Sequence, residues 1–325
     1  MELSLANIFF KIVSIVGLIS ALTLVTVYHL LARAKISRIM IWYKRQKRGV
    51  AVNYAEHEGY RFCYFCRGEP GRKPSVLILH GLAFNKDIWL NTIKFLPKDL
   101  HLVRLDMPGH GETTCLLGDS YAAVDQTKKI HQFVECIGLN QKPFHLVGTS
   151  MGGMIAGVYA AQYPSEVSGL SLLCPLGLRY PDDNNDTFKR LREQLIKSRD
   201  VFQLGLYHPS TKNTQLLKGY VADWRQQNAF LAKCFFDLSN PKSKFSLHDN
   251  MSNISAPTQV LWGKDDQVAD SSGAEILAHA IPNSQVHMLE RCGHIISFER
   301  PRKSAKLLLE FYNSVCDKAE NKKLA

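Results

Sequence analysis

The sequence predicts an α/β protein: a mostly parallel eight-stranded sheet with a helical cap, preceded by one transmembrane helix. Three observations carry this prediction. From residue 50 onward short apolar runs alternate with longer amphipathic segments, residues 176–254 break that rhythm, and Ile12 to Ala32 is an apolar run of 21 residues without a formal charge. Alternation of this kind with nearly continuous apolar strands places helices on both faces of a parallel sheet.

The amino-terminal run has the roughly 20 residues that cross a hydrocarbon core as a helix. Its apolar character extends all round, and a basic flank follows it. Ala32-Arg33-Ala34 has the small-x-small form of a signal cleavage site, but the run is too long for a signal h-region and Glu2 stands where a basic cluster is required. Residues 1–11 are therefore read as a short tail, 12–32 as a transmembrane anchor and 33–49 as a basic juxtamembrane segment. Seven cations, Arg33, Lys35, Arg38, Lys44, Arg45, Lys47 and Arg48, occupy one sixteen-residue window that holds no acid. Ile36, Ile39, Met40, Trp42 and Tyr43 interleave with them, a mixture suited to the headgroup layer. Basic residues stay on the cytoplasmic side, so the main domain is expected in the cytosol. There the sequons at Asn185, Asn250 and Asn253 should remain bare.

The net charge of +11 is thus largely local, and no nucleic-acid-binding signature accompanies it. Eight cysteines are scattered at unrelated spacings, as in a chain of reduced thiols. Cys63 and Cys66 have redox or zinc spacing but fall on a predicted strand, where residues three apart face opposite ways. No second Cys/His pair completes a zinc site, and neither a metal nor a cofactor is expected.

The predicted strands are 51–55, 61–67, 75–79, 102–106, 144–148, 169–174, 259–263 and 285–289, the first two forming an antiparallel edge hairpin. Helical segments lie near 86–97, 121–138, 151–163, 271–281 and 300–316, and residues 317–325 read as a flexible tail. The main domain spans 50–316. Its interruption at 176–254 is too long for a structureless loop and is read as a helical cap over the carboxyl ends of the strands, where open α/β sheets place ligands.

Gly148-Thr149-Ser150-Met151-Gly152 joins the run Phe144-His145-Leu146-Val147 to a helical segment. A strand, a sharp turn and a helix in that order expose the central serine as a nucleophile. Its hydroxyl is weak until a histidine takes the proton, and that imidazole needs a carboxylate to fix its tautomer. His294 follows the eighth strand behind Gly293 and is assigned the base. Asp265 and Asp266 close the seventh strand and compete for the acid, with Asp270 further off; the sixth strand ends in Cys174-Pro175 without an acid. Two backbone amides should meet the oxyanion. Met151 supplies one, and Leu82, in the turn His80-Gly81-Leu82-Ala83, is nominated for the other. His110, in Asp106-Met107-Pro108-Gly109-His110-Gly111, is read as part of a shaping turn.

Leu79-His80-Gly81, Asp106 to His110, Pro143 to Gly153, Trp262-Gly263-Lys264 with Asp266-Gln267-Val268, and Cys292-Gly293-His294 together carry a resemblance. Over roughly residues 50–316 the chain resembles the α/β-hydrolase superfamily, and most closely its membrane-anchored monoacylglycerol lipases. Arg45, Phe62-Cys63-Tyr64 and Asn321 to Leu324 add to that likeness. The resemblance selects Asp266 as the acid through its G-x-x-D pattern. It implies hydrolysis of monoacylglycerols, including 2-arachidonoylglycerol, and of some lysophospholipids. The implied setting is the cytosolic face of late endosomal, lysosomal or plasma membranes. Protein partners are not indicated. Rival readings are a membrane-tethered interaction protein that keeps the fold, hydrolysis of another ester and, on the same fold, carbon-carbon bond hydrolysis, dehalogenation and epoxide opening. The latter two use an aspartate at the elbow, where this chain has Ser150.

Overall fold

The computed structural model describes residues 5–181, 188, 191, 204–207 and 228–324. Helix α1, Leu5–Lys47, is one continuous rod of 43 residues. Within it Phe9–Tyr28 has a mean hydropathy of 2.2 and is long and apolar enough to cross a membrane. This stretch starts before the expected residue 12, because Phe9 and Phe10 outweigh the single charge of Lys11. No boundary separates tail, anchor and basic segment in the backbone. Between residues 5 and 47 there is no proline to interrupt the hydrogen-bond ladder. The helix closes in a Schellman turn, the Val50 amide reaching Arg45 O (3.2 Å) and the Gly49 amide Gln46 O (3.1 Å).

Strands β1 (Ala51–His57) and β2 (Tyr60–Arg67) form the expected hairpin. Then follow β3 (Val76–Leu79), a 3₁₀ turn at Lys86–Trp89, α2 (Leu90–Ile93), β4 (Leu102–Leu105), α3 (Ala123–Cys136), β5 (Phe144–Thr149), α4 (Met151–Gln162) and β6 (Val167–Leu173). The cap contributes α5 (Asn228–Ser239), α6 (Pro241–Lys244) and α7 (Ser246–Asn250). The chain returns through β7 (Thr258–Gly263), α8 (Gly273–Ala280), β8 (Gln285–Leu289), α9 (Ile296–Glu299) and α10 (Pro301–Leu324). The eight strands make one sheet in the order β1-β2-β4-β3-β5-β6-β7-β8, antiparallel across β1-β2-β4 and parallel from β4 to β8. All residues of β3, β4, β5 and β7 are buried, which is why these runs are apolar without alternation.

Two expectations need correction. The helix predicted at 86–97 is only a 3₁₀ turn plus the short α2. Asp106 captures the Lys86 amide (2.7 Å) and Arg45 captures the Asp87 carboxylate (2.8 and 2.5 Å), so tertiary partners override the helical period. The tail expected at 317–325 is helical to Leu324. It continues α10 from the buried Tyr312, Val315 and Cys316, and Lys, Ala and Glu favour the helix. Arg72 also reaches Glu320 across 3.6 Å. Most of the expected cap, including Asn185, lies outside the described residues.

Candidate active site

Ser150 stands between β5 and α4 at φ 56°, ψ −122°. A non-glycine residue in so sparsely populated a region costs on the order of 1–3 kcal/mol and survives only where its surroundings over-determine it. They do so here. The Ser150 amide donates to Leu173 O (2.9 Å), and its carbonyl accepts from Gly153 (2.9 Å), Met154 (3.0 Å) and Leu176 (3.1 Å). A Cβ at Gly148 would lie 2.2 Å from Gly152 O, and one at Gly152 would lie 2.5 Å from His80 O. The flanking glycines are thus dictated by backbone crossing backbone.

The turn aims Ser150 Oγ at His294 Nε2, 2.8 Å away. His294 Nδ1 lies 2.8 Å from Asp266 Oδ2, whose other oxygen accepts the Val268 (2.8 Å) and Ala269 (3.0 Å) amides. An ionised carboxylate only accepts, so the Nδ1 proton points at Asp266 and Nε2 is left to accept from the serine. Both partners are buried, while Ser150 is partly exposed. Of the competing acids, Asp270 turns its side chain to the Ser272 amide (3.0 Å) and hydroxyl (2.8 Å). Asp265 touches the loop through its backbone, its amide donating to Cys292 O (3.0 Å). The arrangement can transfer a proton from a serine hydroxyl to an imidazole held by a carboxylate.

The His80 loop passes against this serine. A Cβ on Gly81 would lie 3.0 Å from Ser150 Cβ, and Leu82, nominated for its amide, is the residue that follows. His80 Nε2 accepts the Met107 amide (2.9 Å), so its proton sits on Nδ1 and is donated to Gly81 O (2.8 Å). Burial, with His110 nearby, holds His80 neutral far below its usual range. Met151 is the first residue of α4, so its N–H belongs to the helix-terminal donors without an intrahelical acceptor. His110 packs edge-on between His80 (5.1 Å between centroids) and Phe230 (4.9 Å).

Residues 74–301 match the model of a family described as the alpha/beta hydrolase fold. The chain belongs to the alpha/beta hydrolase family. This hydrolase is 52% identical over 301 residues to a mouse protein called Monoacylglycerol lipase ABHD6, covering 88% of this chain and 89% of that one. It is 51% identical over 302 residues to the human protein of that name, with the same coverage. A solved structure described as a membrane phospholipase A, a bacterial virulence factor, superposes with a TM-score of 0.79 at 26% identity. The superposition covers 93% of this chain and 98% of the other.

Three supports of the hydrolase site had no signal in the sequence reading. Glu299, at the end of α9, accepts the amides of Gly293 (2.5 Å) and Tyr207 (2.9 Å), tying the His294 loop to a returning cap segment. Lys86 and Asp106 form a buried ion pair (2.7 Å), Asp106 standing one residue before Met107, whose amide donates to His80. Burial opposes the lysine's charge, but Asp106 holds it protonated, well above the ordinary lysine value. Cys174 is wholly buried, with its sulfur within 4.8 Å of ligand atoms of both Asp266 and His294. Burial first and the Asp266 charge second push its thiol far up, so it stands beside the carboxylate as a neutral group. These three side chains have donor types that could hold a metal. Both nitrogens of His294 are already directed, one to Asp266 and one to Ser150, so the grouping is accounted for by that proton path.

Proposed function

We propose that this hydrolase is a membrane-anchored serine hydrolase that cleaves monoacylglycerols, 2-arachidonoylglycerol among them, and lysophospholipids. The observation that carries the reading is the unbroken Ser150–His294–Asp266 chain of contacts, in a protein about half identical to monoacylglycerol lipases. Ser150 Oγ attacks the ester carbonyl carbon as His294 Nε2 takes its proton. Asp266 holds the imidazolium, and the amides of Leu82 and Met151 donate to the tetrahedral oxyanion. Collapse breaks the bond to the glycerol oxygen, which leaves with the proton from His294. Water then attacks the acyl-serine, gives its proton to His294 and releases the fatty acid, restoring Ser150.

The cap is the reader of the acyl chain in this proposal. Phe230, Leu231 and Cys234 of α5 cluster with Tyr121 against Leu82 and Ala83, so apolar cap surface borders the nominated oxyanion amide. Phe236, two positions beyond Cys234 on the same helix, is 68% exposed and takes no part in that cluster. The span Phe9–Tyr28 anchors the chain as a single-pass protein with its catalytic domain in the cytosol, at late endosomes, lysosomes or the plasma membrane. An amphiphilic substrate partitions into the bilayer, so an anchored enzyme meets it there.

A serine-directed fluorophosphonate should label the wild type and spare Ser150→Ala, and a panel of esters should place 2-arachidonoylglycerol among the good substrates. Labelling without turnover of any acylglycerol would overturn the substrate class. Protease digestion of sealed membranes should remove the catalytic domain, and an endoglycosidase should leave its mobility unchanged. A protected, glycosylated domain would reverse the topology.

A further inference from the structure

Where α1 meets the catalytic domain there is a cavity of about 480 Å³ whose wall is cationic. Lys44 and Lys47 line it from α1, Arg48 from the turn that closes that helix, and Lys94 and Lys98 from the segment after α2. None of the five enters an ion pair among the described residues. The lining holds no carboxylate, and beneath the lysines lies Arg67, only 6% exposed. Its guanidinium donates to the carbonyls of Ile93 (3.1 Å) and Pro97 (2.6 Å), while its Nε has no hydrogen-bond partner among the described residues. Arg48 is likewise pinned by carbonyls, at Leu90 (2.6 Å) and Lys44 (3.2 Å).

A fold that gathers five cations around a buried arginine, with Asp99 acting on that arginine only from outside the lining, carries a standing repulsion. Lys44 registers it: burial first, then Arg48 and Lys94, pull its pKa below the ordinary lysine value. An anion in the cavity converts that repulsion into attraction, and charge-assisted bonds from several donors suit a phosphate. The remaining lining, Met40, Tyr43 and Leu96, is apolar, and Ile39 and Trp42 stand exposed beside it at 63% and 58%. A free phosphate has no use for that surface, whereas an acyl glycerol does.

We propose that this cavity holds the phosphate headgroup of one anionic phospholipid, clamping the catalytic domain to the membrane independently of the chemistry at Ser150. Met40 lies twelve residues beyond Tyr28, about 18 Å along a helix. The lipid reaches the cavity when α1 leans, within the tilts of up to about 40° that membrane helices adopt. Such a lean immerses Ile39, Trp42 and Tyr43 at the headgroup level. The clamp then fixes the orientation of the catalytic cleft over the bilayer.

The test uses the full chain in uncharged detergent micelles, titrated calorimetrically with dihexanoyl phosphatidic acid. One-to-one saturable binding is expected, with none for dihexanoyl phosphatidylcholine. Lys94→Glu with Lys98→Glu should weaken it by about tenfold or more, roughly 1.4 kcal/mol. Arg38→Glu with Lys303→Glu, the same charge change outside the cavity, should leave affinity within about twofold. Glycerol 3-phosphate should bind about tenfold more weakly than the lipid, because it leaves the apolar floor uncovered. Should the double glutamate variant melt early, Lys94→Gln with Lys98→Gln gives the same reading at lower charge change. Absence of saturable binding, or equal weakening by both charge pairs, overturns the proposal. Glycerol 3-phosphate binding as tightly as the lipid overturns it in favour of a soluble phosphate site.

Discussion

Two buried polar clusters lie at the same end of the sheet and are built for opposite ends. Around Asp106 every oxygen is committed. Oδ1 accepts the Lys86 amide (2.7 Å), and Oδ2 accepts Lys86 Nζ (2.7 Å) and the Glu112 amide (3.0 Å). Tyr54 secures Glu112 from outside (2.6 Å). Around Ser150 the contacts form a line instead of a cage, from Asp266 through His294 to a hydroxyl that is partly open to solvent. A cage resists any change of protonation, whereas a line lets one proton move. The difference teaches that a buried polar cluster suits chemistry where its hydrogen bonds run in one line to a group that is partly open to solvent.

The largest effect that would sharpen this contrast comes from the line. Ser150→Ala, His294→Ala and Asp266→Asn should each lower ester turnover by roughly a thousandfold or more, and double variants should lose little further, because the three act as one unit. Their melting temperatures should stay near that of the wild type. A dead Asp265→Asn beside an active Asp266→Asn would move the acid one residue and remove the geometric reading given to Asp266.

The cage should behave the other way. Lys86→Met leaves Asp106 buried without its counter-charge, a loss on the order of 3–5 kcal/mol. Lys86→Met with Asp106→Asn should recover part of that loss, since no naked charge remains. Denaturant unfolding measures both, and turnover per folded molecule should be retained in the double variant. Wild-type stability accompanied by lost turnover would place Lys86 in the catalytic line and dissolve the comparison.

The same division explains what was legible in the sequence. The line is made of local signatures: Gly148 is dictated by a backbone clash four residues on, Gly152 marks the same turn although the backbone it must clear is that of His80, and Asp266 and His294 each directly follow a strand-and-turn pattern. The sheet was legible too, because strands buried on both faces must be continuous apolar runs. The cage joins Lys86 to Asp106, twenty residues apart, and Glu299 reaches across to Tyr207; neither pairing leaves a mark in the neighbouring sequence. For the same reason the helix expected at 86–97 shortened, its polar groups being claimed by Asp106 and Arg45. The terminal helix was underestimated because charged residues read as a tail when the apolar face that docks them ends at Cys316.

The smallest effect separates histidines that hold still from the one proposed to move a proton, His294. His80, His110 and His145 are buried, and burial drives their pKa values down, to about 4 for His110 and about 3 for His145. In the unfolded chain such rings take up protons as the pH falls through about 6.5. In the fold they stay neutral until far lower pH. Below about pH 6.5 the unfolded state therefore binds more protons, and stability that is complete above that value is lost progressively as the pH falls. Each ring steepens the loss by up to about 1.4 kcal/mol per pH unit. His145 tests one ring cleanly, since it sits in β5 with its Nε2 on Ser171 Oγ (2.9 Å), away from the Ser150 line. His145→Gln should flatten the decline in stability between pH 6.5 and 5 by about that amount relative to the wild type, because glutamine does not titrate. Comparing the two proteins over one pH range cancels the carboxylates they share. Parallel curves would mean that His145 takes up its proton in the fold as readily as in the unfolded chain, and that its burial in the sheet does not keep it neutral.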